Sequence, residues 1–210
     1  IVVIITEGNG KVRAVAKGVR KTRSKFGGRL EPTSHVSLQL FKGKSDLGIV
    51  TQAETIDRFQ NIRSNPDLFS DASSMLEVVD HVAPDESPDP NRYKMLLGAL
   101  RTLDEKNPPM LVPAFYLKLL DHEGLAPELG FCVKCLETEN LVSISISEGG
   151  VFCSKCQRGR SISDTSIAVM RAILGGALNQ ALDVKDVKII SEIDLIASEA
   201  VEFHLERKIR

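Results

Sequence analysis

Lys11–Arg29 reads KVRAVAKGVRKTRSKFGGR. Eight of its side chains are basic (Lys11, Arg13, Lys17, Arg20, Lys21, Arg23, Lys25 and Arg29) and none is acidic. The whole chain holds 27 Lys and Arg against 28 Asp and Glu, so the remainder carries 19 bases against 28 acids. Gathering like charge in one segment costs self-repulsion, which an anionic partner relieves. The first half alternates as a strand does: Val12, Ala14 and Ala16 point one way, Lys11, Arg13, Val15 and Lys17 the other. The alternation breaks at Gly18, and RKTRSK then leads to Gly27-Gly28. The pattern predicts a strand feeding a basic loop, a form suited to a phosphate backbone.

The neighbourhood extends the β reading. IVVIIT at the start of the chain and KVRAVAKG flank the turn Glu7-Gly8-Asn9-Gly10, a hairpin with an Asn-Gly signal. His35–Phe41 alternates Val36, Leu38 and Leu40 with polar residues, and Gly48–Glu54 follows as a further strand. Short alternating strands separated by turns predict a small barrel or sandwich over residues 1–60. IVVIIT opens in mid-strand without a methionine, so a first strand is expected before this numbering.

From about residue 65 the period becomes helical. Asn65-Pro66 caps a helix carrying Leu68, Ala72, Met75, Leu76, Val79 and Val82 on one face. Asp89-Pro90 opens a second, with Tyr93, Leu96, Leu97, Leu100 and Leu103. A third runs from about Pro109 with Val112, Phe115, Leu119 and Leu120, and stops at Gly124. A fourth is expected from Asp164 to Leu182 on Ile167, Met170, Leu174 and Leu178. A fifth is expected from Ser191, with Asp194 completing a capping box and Ile193, Ile196, Ala200 and Phe203 on its apolar face. These stripes predict shared core. The class is therefore α+β multidomain: an N-terminal β-barrel, then a helical domain over 61–210 with a ribbon inserted at about 130–160.

That ribbon is carried by Cys132-Val-Lys-Cys135 and Cys153-Ser-Lys-Cys156, a C-x2-C-x17-C-x2-C pattern. Each C-x-x-C folds as a tight knuckle that aims two thiolates at one point, and two knuckles complete a tetrahedron around Zn²⁺. The spacer alternates Val142, Ile144 and Ile146 with Ser143, Ser145 and Ser147, then turns at Gly149-Gly150, as a hairpin should. Lys134, Lys155, Arg158 and Arg160 offset the charge of four thiolates. Four thiolates close the coordination sphere, so one structural Zn²⁺ per chain is expected. The four cysteines without a secretion signal point to a reducing compartment.

Other chemistry is missing from the pattern. Gly43-Lys44-Ser45 lacks the upstream glycine of a P-loop, Gly8-Asn9-Gly10 is too short for a dinucleotide fingerprint, and His122-Glu123 has no second histidine of a zincin. Neither C-x-x-C has the upstream H-x-E of a deaminase. His35, His81, His122 and His204 are scattered, and no acid pair or Ser/Cys-His set announces catalysis. No enzymatic activity is expected. With ten aromatics and no Trp, base-stacking platforms are few; Phe26 and Phe41 lie nearest the loop and are the first stacking candidates, although each reads more readily as core. No apolar run approaches the ~20 residues that span a bilayer.

GKVRAVAKGVRKTRSKFGGRLEPTSHVSLQLFKG (10–43) followed by LGIVTQAE (47–54) resembles the N-terminal domain of the bacterial recombination mediator family RecO. Phe115–Pro127 leading into the cysteine ribbon and further helices is similar to that family's C-terminal half. The resemblance implies an oligonucleotide-binding (OB) barrel whose first strand lies in some twenty residues before Ile1. It also implies a cytoplasmic, nucleoid-associated protein that binds single- and double-stranded DNA, anneals complementary strands, and acts with RecR and the single-stranded DNA-binding protein SSB to load recombinase. A different reading of the same residues is an OB plus zinc-ribbon module for structured RNA.

Overall fold

The computed structural model describes residues 1–18, 26–42 and 47–209. It divides into two compact units, Ile1–Asn107 and Pro108–Arg210.

In the first unit, β1 (Val2–Thr6) and β2 (Gly10–Val15) form the expected antiparallel hairpin, Val2 opposite Ala14 and Thr6 opposite Gly10. β3 (His35–Phe41) and β4 (Gly48–Asp57) are antiparallel to each other, and β4 lies parallel to β2 through Ala14–Gly48 and Val15–Ile49. The order is β1-β2-β4-β3. The sheet is OB-like, but among the described residues it stays open rather than closing into a barrel. Alternation decides what faces inward. Ala14, Ala16, Phe26 and Val50 make a buried cluster with Val2, Ile4, Leu30, Leu38 and Ala53 packed on it. Phe26, 2% exposed, is core as expected, and burying such a ring stabilises by about 2–3 kcal/mol.

The helical segments of this unit start where their caps predict. The Asn65 side chain accepts from the Asp67 N–H at 2.9 Å and opens α2 (Pro66–Val82), after the short α1 (Gln60–Ser64). Asp89 accepts from the Asn91 and Arg92 N–H groups and opens α3 (Pro90–Glu105). Between α2 and α3 the chain runs back along β2: Glu86 N–H donates to the Lys11 carbonyl at 2.9 Å. Gly10 permits this approach. It sits at φ +67, and a Cβ there would lie 2.2 Å from the Ser87 carbonyl oxygen.

In the second unit α4 (Leu111–His122) packs against α5 (Asp164–Leu174), α6 (Leu178–Leu182) and α7 (Val187–Leu205). Eight of its residues are buried, from Leu111 to Leu120, so it is enclosed nearly all round rather than along one stripe. It ends at Gly124, φ +73, as expected. Two helix boundaries are corrected. The helix expected from Asp164 to Leu182 is broken at Gly175-Gly176, because Gly176 adopts φ +93. The last helix starts at Val187, one turn before Ser191, since Asp186 caps it by accepting from Lys188 and Ile189 N–H. Phe203, expected in the core, is 49% exposed. Glu192 of α7 fastens α5 by accepting from the Ser163 hydroxyl at 2.7 Å and the Ser166 hydroxyl at 2.5 Å.

Candidate metal centre and nucleic-acid interface

The cysteine pattern folds into a ribbon of β5 (Leu141–Ser145), β6 (Gly150–Cys153) and β7 (Arg160–Ser161), with β5 in the middle. β5 and β6 pair Leu141 with Cys153 and Ser143 with Phe152, so Val142 is an extra residue in a bulge. The bulge corrects the simple alternation. Leu141, Ser143, Ile144 and Ile146 are buried, and the Ser143 hydroxyl accepts from the Arg158 N–H at 3.2 Å. Gly159, φ +73, lets the second knuckle close on β5, since a Cβ would lie 2.2 Å from the Ile144 carbonyl oxygen.

The first knuckle turns through Leu136 at φ +65, with the Cys132 N–H donating to the Glu137 carbonyl and the Leu136 N–H to the Cys132 carbonyl. The β5–β6 pairing then brings Cys153 and Cys156 to it. All four sulfurs lie within 4.8 Å of one another, and Cys135 Sγ is 3.6 Å from Cys153 Sγ. A tetrahedral ion with Zn–S bonds near 2.3 Å sets its sulfurs about 3.8 Å apart, so the donor set fits. Cys132 and Cys153 are buried, Cys156 is half-buried and Cys135 is exposed.

The thiols are poised unequally. Burial pushes Cys132 up, but backbone amides of Cys153, Lys134 and Cys135 outweigh it and hold the thiol at about 6. Cys156 is pushed up to about 12, first by its neighbour Cys135, then by burial and the other thiols. Cys135 is also raised, because the sulfurs around it outweigh the Glu137 amide. Four sulfurs this close cannot all ionise unless a cation shares their charge, which is what a metal ion supplies. The basic residues expected around them divide. Arg158 pairs with Glu148 and Arg160 with Glu199, both at about the range of surface ion pairs, whereas Lys134 and Lys155 are exposed.

The basic segment also divides. Arg20, Lys21, Arg23 and Lys25, like Gly43-Lys44-Ser45, lie outside the described residues. Lys11 points to the expected side of β2, yet it is 7% exposed: its ammonium donates to the Asp80 carbonyl at 2.6 Å and lies 3.3 Å from Asp80 Oδ1 and 3.4 Å from Asp85 Oδ1. Arg13, half exposed, reaches Asp85 Oδ2 at 3.3 Å. Lys17 is exposed, and Arg29 donates to the Phe26 carbonyl at 3.2 Å. Lys42, which the charge run did not include, pairs with Glu86 at 2.7 Å. Asp85 is held below the ordinary carboxylate range: desolvation pulls it up, but Lys11 and Arg13 outweigh that. Nothing local in the sequence marks Asp80, Asp85 and Glu86 as partners of cations some seventy residues or forty residues away.

The face that carries Arg13 can be read from the register. Val15 is opposite Ile49 on β4, and Ile49 is opposite Phe41 on β3, so these three share it. Phe41 is 61% exposed there, which corrects the expectation that it lies in the core: it ends the row on β3, with no strand beyond it among the described residues.

Family models described as "Recombination protein O N terminal" and "Recombination protein O C terminal" match residues 1–59 and 63–210. Curated relatives described as "DNA repair protein RecO" align over all of this chain. The one from Cutibacterium acnes is 36% identical over 220 residues, covering 89% of that protein. Those from Frankia casuarinae and Streptomyces coelicolor are each 36% identical, covering 88% and 89% of their lengths.

Proposed function

The chain belongs to the RecO family of DNA repair proteins, and on that premise we propose that it is a DNA-binding recombination mediator without enzymatic turnover. It would bind single- and double-stranded DNA, anneal complementary strands, and help load recombinase on SSB-coated DNA. The observation that carries this reading is the segregation of charge. Eight cations and no acid lie within Lys11–Arg29, while the rest of the chain is acidic. Annealing two backbones of like charge requires neutralising both at once, which a cationic segment achieves without base specificity.

Residues 1–60 are then the DNA-binding part. Among the segment's members, Lys11 is buried on Asp80 and Asp85, so the roughly five phosphate contacts would come from Arg13, Lys17, Arg20, Lys21, Arg23, Lys25 and Arg29, Arg13 exchanging Asp85 for phosphate. Residues 61–210, with the ribbon at about 130–160, form the helical part, better suited by its acidity to protein partners. The family resemblance names SSB and RecR as those partners and the nucleoid in the cytoplasm as the place of action. Cys132, Cys135, Cys153 and Cys156 would hold one structural Zn²⁺, which closes the ribbon and leaves no open position for a substrate.

Joint replacement of Arg20, Lys21, Arg23 and Lys25 by Gln tests the interface. Affinity should fall across all DNA sequences. If about five cations of the parent reach phosphate, log affinity for single strands should fall against log salt with slope about −3.5, and the variant should show a shallower one. Unchanged affinity moves the site elsewhere. Competition between DNA and folded RNA separates this reading from an OB plus zinc-ribbon module for structured RNA.

A further inference from the structure

We propose that Phe41 stacks on a nucleobase and makes the sheet face selective for single strands over duplex; the inference rests on the nucleic-acid reading above. The face is built by register. Val15, Ile49 and Phe41 lie in one row across β2, β4 and β3, with directly opposed side chains about 5 Å apart. Val15 and Ile49 are half-buried and form the floor, while Phe41 stands 61% exposed at the end of the row. Phe26, the other aromatic near the loop, is 2% exposed and fills the core on the opposite side.

An isolated exposed ring needs no explanation. This one is continuous with an apolar row, and cations frame it. Arg13 lies two residues before Val15 on the same face, Lys42 follows Phe41 directly, and Lys17 is exposed just beyond β2. The neighbouring acids Asp85 and Glu86 hold Arg13 and Lys42 at 3.3 and 2.7 Å, which puts both cations beside the row. These pairs are exposed to solvent and contribute little to stability, so phosphate oxygens can replace the carboxylates at small cost. The occupant that matches an apolar, aromatic strip between cations is a strand with unstacked bases. Its phosphates meet Arg13, Lys17 and Lys42, and one base meets the ring. A duplex presents the same phosphates but keeps its base faces covered, so it gains the first contact and not the second.

The test uses the full chain with labelled oligo(dT) and a labelled duplex of equal length, measured by anisotropy at several salt concentrations. Phe41→Ala should weaken oligo(dT) binding about tenfold, within the range for losing one base–aromatic stack. Duplex affinity and both salt slopes should stay as in the parent, and Phe41→Tyr should retain oligo(dT) affinity. The ring is at the surface, so the variant keeps its core. Unchanged oligo(dT) affinity in Phe41→Ala overturns the inference and leaves the DNA-binding reading standing. An equal loss on duplex also overturns it, as does a loss of self-association with binding unaltered. A parent chain that binds neither probe removes the DNA-binding reading and this inference with it.

Discussion

Lys11→Met separates the cation that holds the fold from those proposed to face DNA. The Lys11 side chain is 8% exposed and contacts the Asp80 carbonyl and the Asp80 and Asp85 carboxylates at 2.6, 3.3 and 3.4 Å. Methionine keeps the apolar stem and removes the charge. Breaking a fully buried pair costs about 3–5 kcal/mol, because the partner's charge is stranded. Here Asp85 is 55% exposed and water resolvates it, but Asp80 Oδ1 is buried with no hydrogen-bond partner of its own, so part of that penalty stays. What remains lost is one charge-assisted hydrogen bond to a carbonyl, worth about 1.5–3 kcal/mol, partly offset because the ammonium no longer has to be desolvated. With the stranded Asp80 oxygen included, the expected net loss is about 2–3 kcal/mol. Urea unfolding followed by far-UV circular dichroism should show a lower midpoint at unchanged slope. Single-strand affinity and its salt dependence should not change. Parental stability together with a fall in DNA affinity like that of Arg13→Gln would refute the reasoning, since it would place Lys11 at phosphate.

Asp85→Asn combined with Glu86→Gln removes the carboxylates that compete with phosphate for Arg13 and Lys42, and should raise single-strand affinity at a similar salt slope; an unaltered affinity would route DNA elsewhere. Metal analysis of purified protein should find close to one zinc per chain, and Cys132→Ser should lose that zinc and unfold at lower temperature; a metal-free parent would refute the assignment. His35 donates or accepts one hydrogen bond with the Tyr93 hydroxyl at 2.9 Å, and its Nδ1 is buried without a protein partner. Its pKa is lowered, first by desolvation and then by Arg101, so the unfolded chain takes up its proton at higher pH than the folded one. The folded state should therefore lose stability as pH falls below about 6.5, and His35→Gln should flatten that dependence; an identical pH profile in the variant would refute it.

Features set by local chemistry were legible in the sequence. Asn65-Pro66 and Asp89-Pro90 mark their helix starts because a cap needs only a side-chain oxygen and the next amides. The C-x-x-C pairs mark the cysteine cluster because each knuckle is closed by its own backbone. Alternation along Val12–Ala16 gave the inward face of β2, and Phe26 was correctly placed with the core. Features set by distant partners were not. Lys11 reads as an outward cation on strand period alone, and only the return of the chain through Asp80 and Asp85 buries it. The Val142 bulge is invisible to alternation, since it is the pairing with β6 that makes one residue surplus. Ser191 and Asp194 form a plausible cap, but Asp186 begins the helix first and turns them into its interior. The Gly175-Gly176 break did have a signal, which the continuous apolar stripe on either side outweighed.

The central claim is that a chain with its positive charge gathered in Lys11–Arg29 works by bringing DNA strands together. Annealing of complementary fluorescent strands, free and coated with SSB, tests it without nucleotide or added divalent metal. The account predicts that the chain accelerates pairing in both cases, and that joint replacement of Arg20, Lys21, Arg23 and Lys25 abolishes the acceleration. Pairing at the spontaneous rate, with DNA binding intact, would contradict it and leave a passive nucleic-acid tether in its place.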